Sequence, residues 1–367
     1  MRKKVINIIT ALIMIAIMLF LGVATIFRKT GSVSYQENRK LTQLPEITLS
    51  SLMDGTYIKG VQSCFADYFA GRSYWNSANA VIDAKLCESI VNGVYITDGM
   101  MLAVPENKEN SAKQTAEKIN AFCADYDGAV YVATVPSSAG VYSEKLPDYC
   151  DRDYEKKLID ELYTSLDSGI RRIDAYNILK MLNENYIYYR NDSKWTGYGA
   201  YCVYRTVIQK LGFMPSAYDK YTIRHVSADF RGNLYNRTQY TDIKADMLDI
   251  YKIDDGAEIL SFTAYDNEGK SYEKELYDMS KVDTNDMYKL YMGYELPYVK
   301  IKTSVNNERK LLVIKDSYAD CFIPFLAEHY SEIAVIAPEY AEDTYADIID
   351  IQEYEQTLFL FGIESVF

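Results

Sequence analysis

From Val5 to Phe27 the chain is apolar apart from Asn7, Thr10 and Thr25, a run long enough to cross a hydrocarbon core of about 30 Å. Arg2, Lys3 and Lys4 precede the run and Arg28 and Lys29 follow it, a slight bias toward a cytoplasmic N-terminus with the later bulk outside. A cleaved signal peptide with Gly22-Val-Ala24 as its small-residue site competes with an uncleaved signal-anchor over residues 1–30. The length of the apolar run favours the anchor. Residues 31–51 are polar with Gln and Pro and read as a stalk, leaving 52–367 as the extracytoplasmic body.

Within that body, Leu52 to Ile90 mixes Phe65, Tyr68, Phe69, Tyr74 and Trp75 with helix formers. Asn92-Gly93 then marks a turn before the short strand Val94 to Ile96. From Ser111 the period settles: Ala112, Ala116, Ile119, Phe122 and Cys123 share a helical face up to Tyr126, and Ala129 to Val135 is a buried strand ended by Pro136. Helices are predicted over Asp153 to Leu166, Tyr176 to Asn183 and Thr196 to Leu211, with strands at Arg171 to Ile173 and Tyr186 to Tyr189. Alternation of this kind predicts an α/β fold with a mostly parallel sheet flanked by helices. Between about 217 and 300 short Tyr-rich alternating runs with polar turns, such as Gly232-Asn233, predict an antiparallel insertion. The α/β pattern resumes with Leu311 to Ile314, Ile333 to Ile336, a helix over Ala341 to Ile351 and a last strand at Thr357 to Phe361.

Composition narrows the function classes. The formal charge is −13 and the pI about 4.8, whereas nucleic-acid binding is driven by Lys and Arg displacing counterions from phosphates, so no nucleic-acid partner is expected. Tyrosine is frequent at 35 residues, and its apolar face with a hydroxyl suits wet or carbohydrate-facing surfaces, although drift on an exported protein explains it equally well. The six cysteines form no CxxC pair and have no nearby His at ligand spacing. No metal and no cofactor are expected. Cys202 and Cys321 read as buried apolar side chains, and Cys123 and Cys150 as a pair that an oxidising compartment would join.

Chemistry concentrates in two stretches. In Lys310 to Phe325, KLLVIKDSYADCFIPF, a buried strand runs into Ser317 and then an amphipathic run. A hydroxyl at such a strand-to-helix turn is placed for nucleophilic work, with backbone N–H groups at hand for an oxyanion. Ser317-Tyr-Ala-Asp320 equally fits the capping-box pattern, in which the hydroxyl only satisfies helix-start donors. The second stretch, Tyr188-Tyr-Arg-Asn-Asp192-Ser-Lys194-Trp195-Thr196, leads from an aromatic strand through an acid to a helix capped by Thr196. It puts Asp192 and Lys194 on a loop at a strand's C-terminal edge, where open α/β sheets hold ligands.

These two stretches, together with Glu37-Asn38-Arg39, DYFAGR (67–72), NGVYI (92–96), VPSSAGVYSEKLP (135–147) and FRGNLY (230–235), resemble the bacterial DHHW protein family. That family is similar to the alginate O-acetylation proteins of the SGNH-hydrolase-like superfamily, and the resemblance covers nearly everything after the anchor. It implies an Asp-x-His turn that supplies an orienting acid and a general base, and a later Ser as nucleophile. Asp192 matches the acid and Ser317 the nucleophile, but Lys194 stands at the His position and Ser193 before it, so the family's His pair is absent. A lysine acts as a base only if its pKa falls, and Asp192 two residues away opposes that.

Of the two histidines, His329 lies twelve residues past Ser317 along what reads as one helix, and His225 precedes the FRGNLY turn. Trp195, Tyr318 and Gly293, the last on an oxyanion-side loop, complete the substrate-binding candidates. Two functions follow. One is an anchored extracytoplasmic acyl-ester enzyme acting on O-acetyl groups of cell-surface polysaccharide, weak or inactive without its His and working beside a membrane acyltransferase. The other is a non-catalytic saccharide-binding or accessory protein of envelope glycan assembly, using Tyr and Trp195 for stacking.

Overall fold

The structure, a computed structural model, describes residues 2–27, 31–34, 37, 39–87, 90–97, 99–105, 111–292, 295–342 and 348–365. The chain divides into two compact units, Met1–Glu88 with Asn236–Asp242, and Ser89–Tyr235 with Ile243–Phe367.

In the first unit the apolar run forms one helix, Arg2–Phe27. Its Lys3–Thr25 portion has the length and composition to cross a membrane. Residues 31–51 carry a small antiparallel pair, Val33–Ser34 with Arg39–Lys40. Helices Leu49–Met53, Thr56–Tyr68 and Arg72–Ile82 follow.

The second unit is built on α1 (Ser111–Ala124), β1 (Ala129–Val135), α2 (Tyr154–Ser165), β2 (Arg171–Ile173), α3 (Ala175–Met181), α4 (Gly197–Lys210), β3 (Ile259–Tyr265), β4 (Ser271–Glu273), β5 (Tyr298–Thr303), β6 (Lys310–Lys315), β7 (Glu332–Ile336) and β8 (Gln356–Gly362). Among the described residues these strands form one eight-stranded sheet in the order β4-β3-β5-β7-β6-β8-β1-β2. The run from β7 to β2 is parallel, and β5, β3 and β4 add to it antiparallel.

Side-chain alternation explains the layering. Tyr131, Ala133, Leu311, Val313, Leu358 and Leu360 join one core with Val203, Tyr204 and Val207 of α4. Their neighbours Val130, Val132, Leu312, Ile314, Phe359 and Phe361 join a second core with Ala112 and Ile119 of α1 and Ile159 of α2. Successive strand residues point to opposite faces, so each central strand is apolar throughout because both faces are covered.

Three expectations need correction. Tyr186 to Tyr189 is not a strand: Tyr188 makes only a lone antiparallel bridge to Trp195, because the segment folds back on its own continuation. The run of 217–300 is not a single insert. Thr222–Phe230 and Asp246–Lys252 pair with each other outside the main sheet, while β3 and β5 extend it. The amphipathic run after β6 forms no long helix: a single turn, Ile323–Leu326, carries Pro324 near its start. Of the helix expected over Ala341 to Ile351, residues 343–347 lie outside the described residues, and Ile351 opens a 3-10 turn, Ile351–Glu353. Cys123 and Cys150 are both free thiols, and burial pushes the Cys123 thiol up to about 11.

Candidate functional site

β6 runs directly into a 3-10 turn, Ser317–Ala319. The carboxylate of Asp316 caps that turn, its Oδ1 accepting from the Tyr318 N–H at 2.8 Å. Its Oδ2 accepts from the Gly362 N–H at 2.8 Å and from the Ser365 hydroxyl. Ser317 is therefore not the cap, since the acid one residue earlier takes the turn's amide. The Ser317 hydroxyl is half-buried and makes no hydrogen bond among the described residues. With only a short turn behind it, no long helix dipole is aimed at this oxygen.

The second loop is fastened at several points. Tyr188 donates its hydroxyl to the Pro136 carbonyl at 2.5 Å, one residue past β1, which ties the loop to the C-terminal edge of the parallel strands. Asp246, buried in the hairpin, accepts from the Arg190 and Asn191 N–H groups at 2.8 and 3.1 Å and from the Tyr186 hydroxyl at 2.5 Å. The Asn191 Oδ1 accepts from the Gly232 N–H at 2.7 Å. Asp192 itself is buried; its Oδ2 accepts from the Asn233 N–H at 2.8 Å and its Oδ1 from the Lys194 N–H at 2.9 Å. Gly232 permits this fit, because a Cβ there would lie 2.3 Å from the Asp192 Cβ.

The loops of Asp192 and Ser317 meet. Tyr318 donates its hydroxyl to the Ser193 carbonyl at 2.9 Å, and Trp195 donates its Nε1–H to the Tyr318 carbonyl at 2.8 Å. These bonds fix the roles of both aromatics. Trp195 is 0% exposed and stacks on Phe322, with centroids 6.0 Å apart and an interplanar angle of 11°, so it offers no face to a sugar. Tyr318 is likewise buried, with its hydroxyl engaged. Neither is a surface for substrate, contrary to the sequence expectation. Gly293 lies outside the described residues.

Lys194, on the Asp192 loop, has its side chain 14% exposed, its Nζ 3.7 Å from the Asp192 Oδ1 and 4.9 Å from the centre of the Tyr288 ring. Burial pulls its pKa down, but the carboxylates of Asp192, Asp320, Asp316 and Asp286 outweigh that, and the net direction is up from an ordinary lysine. Beside it the buried Lys315 pairs with Asp320. Burial raises the Asp320 carboxyl above the usual carboxylate range, while Lys315 and Lys194 pull it back.

Neither histidine joins this group. His329 is buried beyond the Ile323–Leu326 turn, its Nε2 2.6 Å from the Tyr204 hydroxyl, and burial lowers its pKa to about 4. His225 is exposed on the hairpin and pairs with Asp249 through Nδ1 at 2.6 Å. Among the described residues no three His, Cys, Asp or Glu are grouped to hold a metal ion. Sequence reasoning missed Asp316, Asp246, Tyr288 and the supporting part of Asn233. The one local signal was the glycine of FRGNLY, where a backbone must pass close to something.

A buried acid on one loop, a free serine hydroxyl on the other and both at the C-terminal edge of a parallel sheet invite comparison with known proteins. The family described as DHHW protein matches residues 125–336. The chain belongs to the DHHW family. Among solved structures, a DHHW family protein from Eubacterium siraeum is 24% identical, with 76% of this chain and 93% of that chain covered and a TM-score of 0.65. Bacillus cereus PatB1 with a sulfonyl adduct is 21% identical, covers 74% of this chain and 95% of its own, and has a TM-score of 0.64. The O-acetyltransferase domain of Pseudomonas putida AlgJ matches at 13% identity over 74% of this chain and 91% of that one, with a TM-score of 0.44. The comparison with curated proteins finds no match. At these identities the first two structures establish a shared fold for the DHHW body of this chain.

Proposed function

We propose that this DHHW protein is an anchored, extracytoplasmic member of a cell-surface polysaccharide O-acetylation or deacetylation system. In this reading Ser317 and Asp192 keep the frame of an acyl-ester site, and Lys194 leaves Ser317 unactivated. The observation that carries the reading is the Lys194 Nζ 3.7 Å from the Asp192 Oδ1, at the position where the family resemblance puts an imidazole. A serine hydroxyl attacks an ester only as a neighbouring base removes its proton, and the same base must return that proton to the leaving group. An ammonium donates but cannot accept. The upward direction of the Lys194 pKa argues against a Ser-Lys dyad, which needs a lysine pulled down toward neutrality.

The same ion pair favours an accessory role, in which the protein holds an acylated saccharide for a membrane acyltransferase partner. Trp195 takes no part in that binding, being fully buried. The apolar helix Lys3–Thr25 serves as a retained anchor that keeps the body outside the membrane.

The test is hydrolysis of a chromogenic acetyl ester by the full chain in detergent, beside Ser317→Ala. Both proteins are expected to remain near background. A wild-type rate abolished by Ser317→Ala would make the chain an active esterase and overturn the unactivated reading.

A further inference from the structure

The first unit carries motifs that the candidate site does not use. Its N-terminal helix is exposed along almost its whole length, yet Thr25 in the last turn is only 7% exposed. The Thr25 Oγ1 accepts a hydrogen bond from the Ala70 N–H at 3.0 Å while donating to the Leu21 carbonyl at 2.7 Å. Ala70 is in the corner between helices Thr56–Tyr68 and Arg72–Ile82, where Gly71 takes the left-handed φ of 74° that lets the chain reverse. The end of the apolar helix is thereby bonded to the bend of a helical pair.

The corner is rigidly held. Arg39 bridges Glu37 at 2.7 Å and Asp67 at 2.6 Å, Arg72 closes the network on Glu37, and Asp67 also accepts from the Thr42 N–H at 2.8 Å. These are the acids and arginines of the ENR and DYFAGR motifs. Their pairing holds the Asp67 carboxyl well below the usual carboxylate range.

Along its length the helical pair leaves large apolar groups in the open. Tyr74 is 82% exposed and Trp75 59%, with Ile58, Phe65 and Ile82 also exposed. Trp75 and Ile82 are seven positions apart and lie on one helical face. Soluble surfaces rarely keep such groups together without a partner.

We propose that this helical pair is a collar seated on the outer leaflet of the bilayer that the N-terminal helix crosses, with Trp75, Tyr74 and Phe65 in the boundary between headgroups and acyl chains. The proposal rests on the reading that Lys3–Thr25 is retained as an anchor. Twenty-three residues at 1.5 Å each span about 34 Å, so Thr25 reaches the outer interface, and the bond to Ala70 sets the corner at that depth. Tryptophan and tyrosine favour this layer, having an apolar ring and a polar tip. A chain of net charge −13 gains no attraction to anionic lipids, so the seat is held by apolar insertion and resists salt.

The chain has two tryptophans, and Trp195 is wholly buried. The emission of the full chain in phosphatidylcholine vesicles, minus that of Trp75→Phe, therefore isolates Trp75. The collar predicts that most of this difference signal is quenched by lipids brominated high on the acyl chain. It should also be protected from acrylamide and unchanged in high salt. Quenching by acrylamide but not bromolipid, in protein that still floats with the vesicles, would overturn the collar and leave the anchor intact. Protection from both quenchers would place a protein on this face and overturn it too. Protein that no longer floats, with an intact mass lacking the N-terminal helix, would remove the anchor reading and the collar with it.

Discussion

The Tyr318 hydroxyl donates to the Ser193 carbonyl at 2.9 Å across 125 residues of sequence, and the Tyr318 carbonyl accepts from the Trp195 indole at 2.8 Å. One tyrosine therefore clasps the loop of Asp192 to the loop of Ser317 by both its side chain and its backbone. Buried acceptors left without a donor cost about 1–3 kcal/mol each. Tyr318→Phe, which strands the Ser193 carbonyl, should lower stability by about that amount in urea unfolding. Trp195→Phe should cost more, because it removes volume stacked on Phe322 as well as a donor. The double variant should cost less than the sum, since both changes open the same clasp.

The cap of the Ser317 turn gives a second expectation. Asp316→Ala removes the acceptor for the Tyr318 and Gly362 amides and should destabilise by about 1–3 kcal/mol. Ser317→Ala removes a hydroxyl with no hydrogen bond among the described residues and should lie within about 0.5 kcal/mol of wild type. Thermal or urea denaturation of the two variants separates the roles. Equal losses would return the cap to Ser317.

The contrast between these neighbours shows where the sequence was legible. Ala129 to Val135, Leu311 to Ile314 and the helix capped by Thr196 were readable because period and capping are local signals, and the structure has them within a residue or two. The cap of the Ser317 turn was misread because Ser-x-x-Asp imitates a capping box, whereas the stronger acceptor stood one position earlier. Tyr186 to Tyr189 has the aromatic make-up of a strand, but the Tyr188 hydroxyl is tied to the Pro136 carbonyl and Tyr189 packs on Phe230. Trp195 read as a sugar platform because burial in a loop follows from contacts such as Tyr318, over a hundred residues away, which leave no trace in the local pattern.

Two buried groups predict opposing pH dependences. Burial lowers the pKa of His329 from 6.5 to about 4. The unfolded chain then binds its proton first, and the stability that neutral His329 contributes is present above pH 6.5 and is lost as pH falls toward 4. Glu155 accepts from the Ser137 N–H at 2.8 Å and the Ser137 hydroxyl at 2.5 Å, and burial, with the nearby Glu364 charge, raises its carboxyl from 4.5 to about 7. The folded chain binds that proton first, so its contribution is present below pH 4.5 and is lost as pH rises through 7. Relative to wild type, Glu155→Gln should make stability rise more steeply from pH 4.5 to 7. His329→Gln should make it rise less steeply between pH 4 and 6.5. Urea midpoints across this range read both slopes, and parallel curves for all three proteins would refute the assignment.

In the proposed function the Lys194 ammonium, paired with Asp192, is what keeps Ser317 silent. The most direct measurement is the acetyl-ester rate of wild type, Lys194→His and Lys194→Ala at neutral pH. Lys194→His is preferable to a change at Ser193, which is buried and hydrogen-bonded to Asn233 at 2.9 Å. Wild type and Lys194→Ala should stay near background, and Lys194→His should gain roughly 10² to 10⁴ in rate, the contribution of a positioned general base, with the gain abolished by adding Ser317→Ala. A wild-type rate well above background that Lys194→Ala destroys would make Lys194 the base and contradict the account.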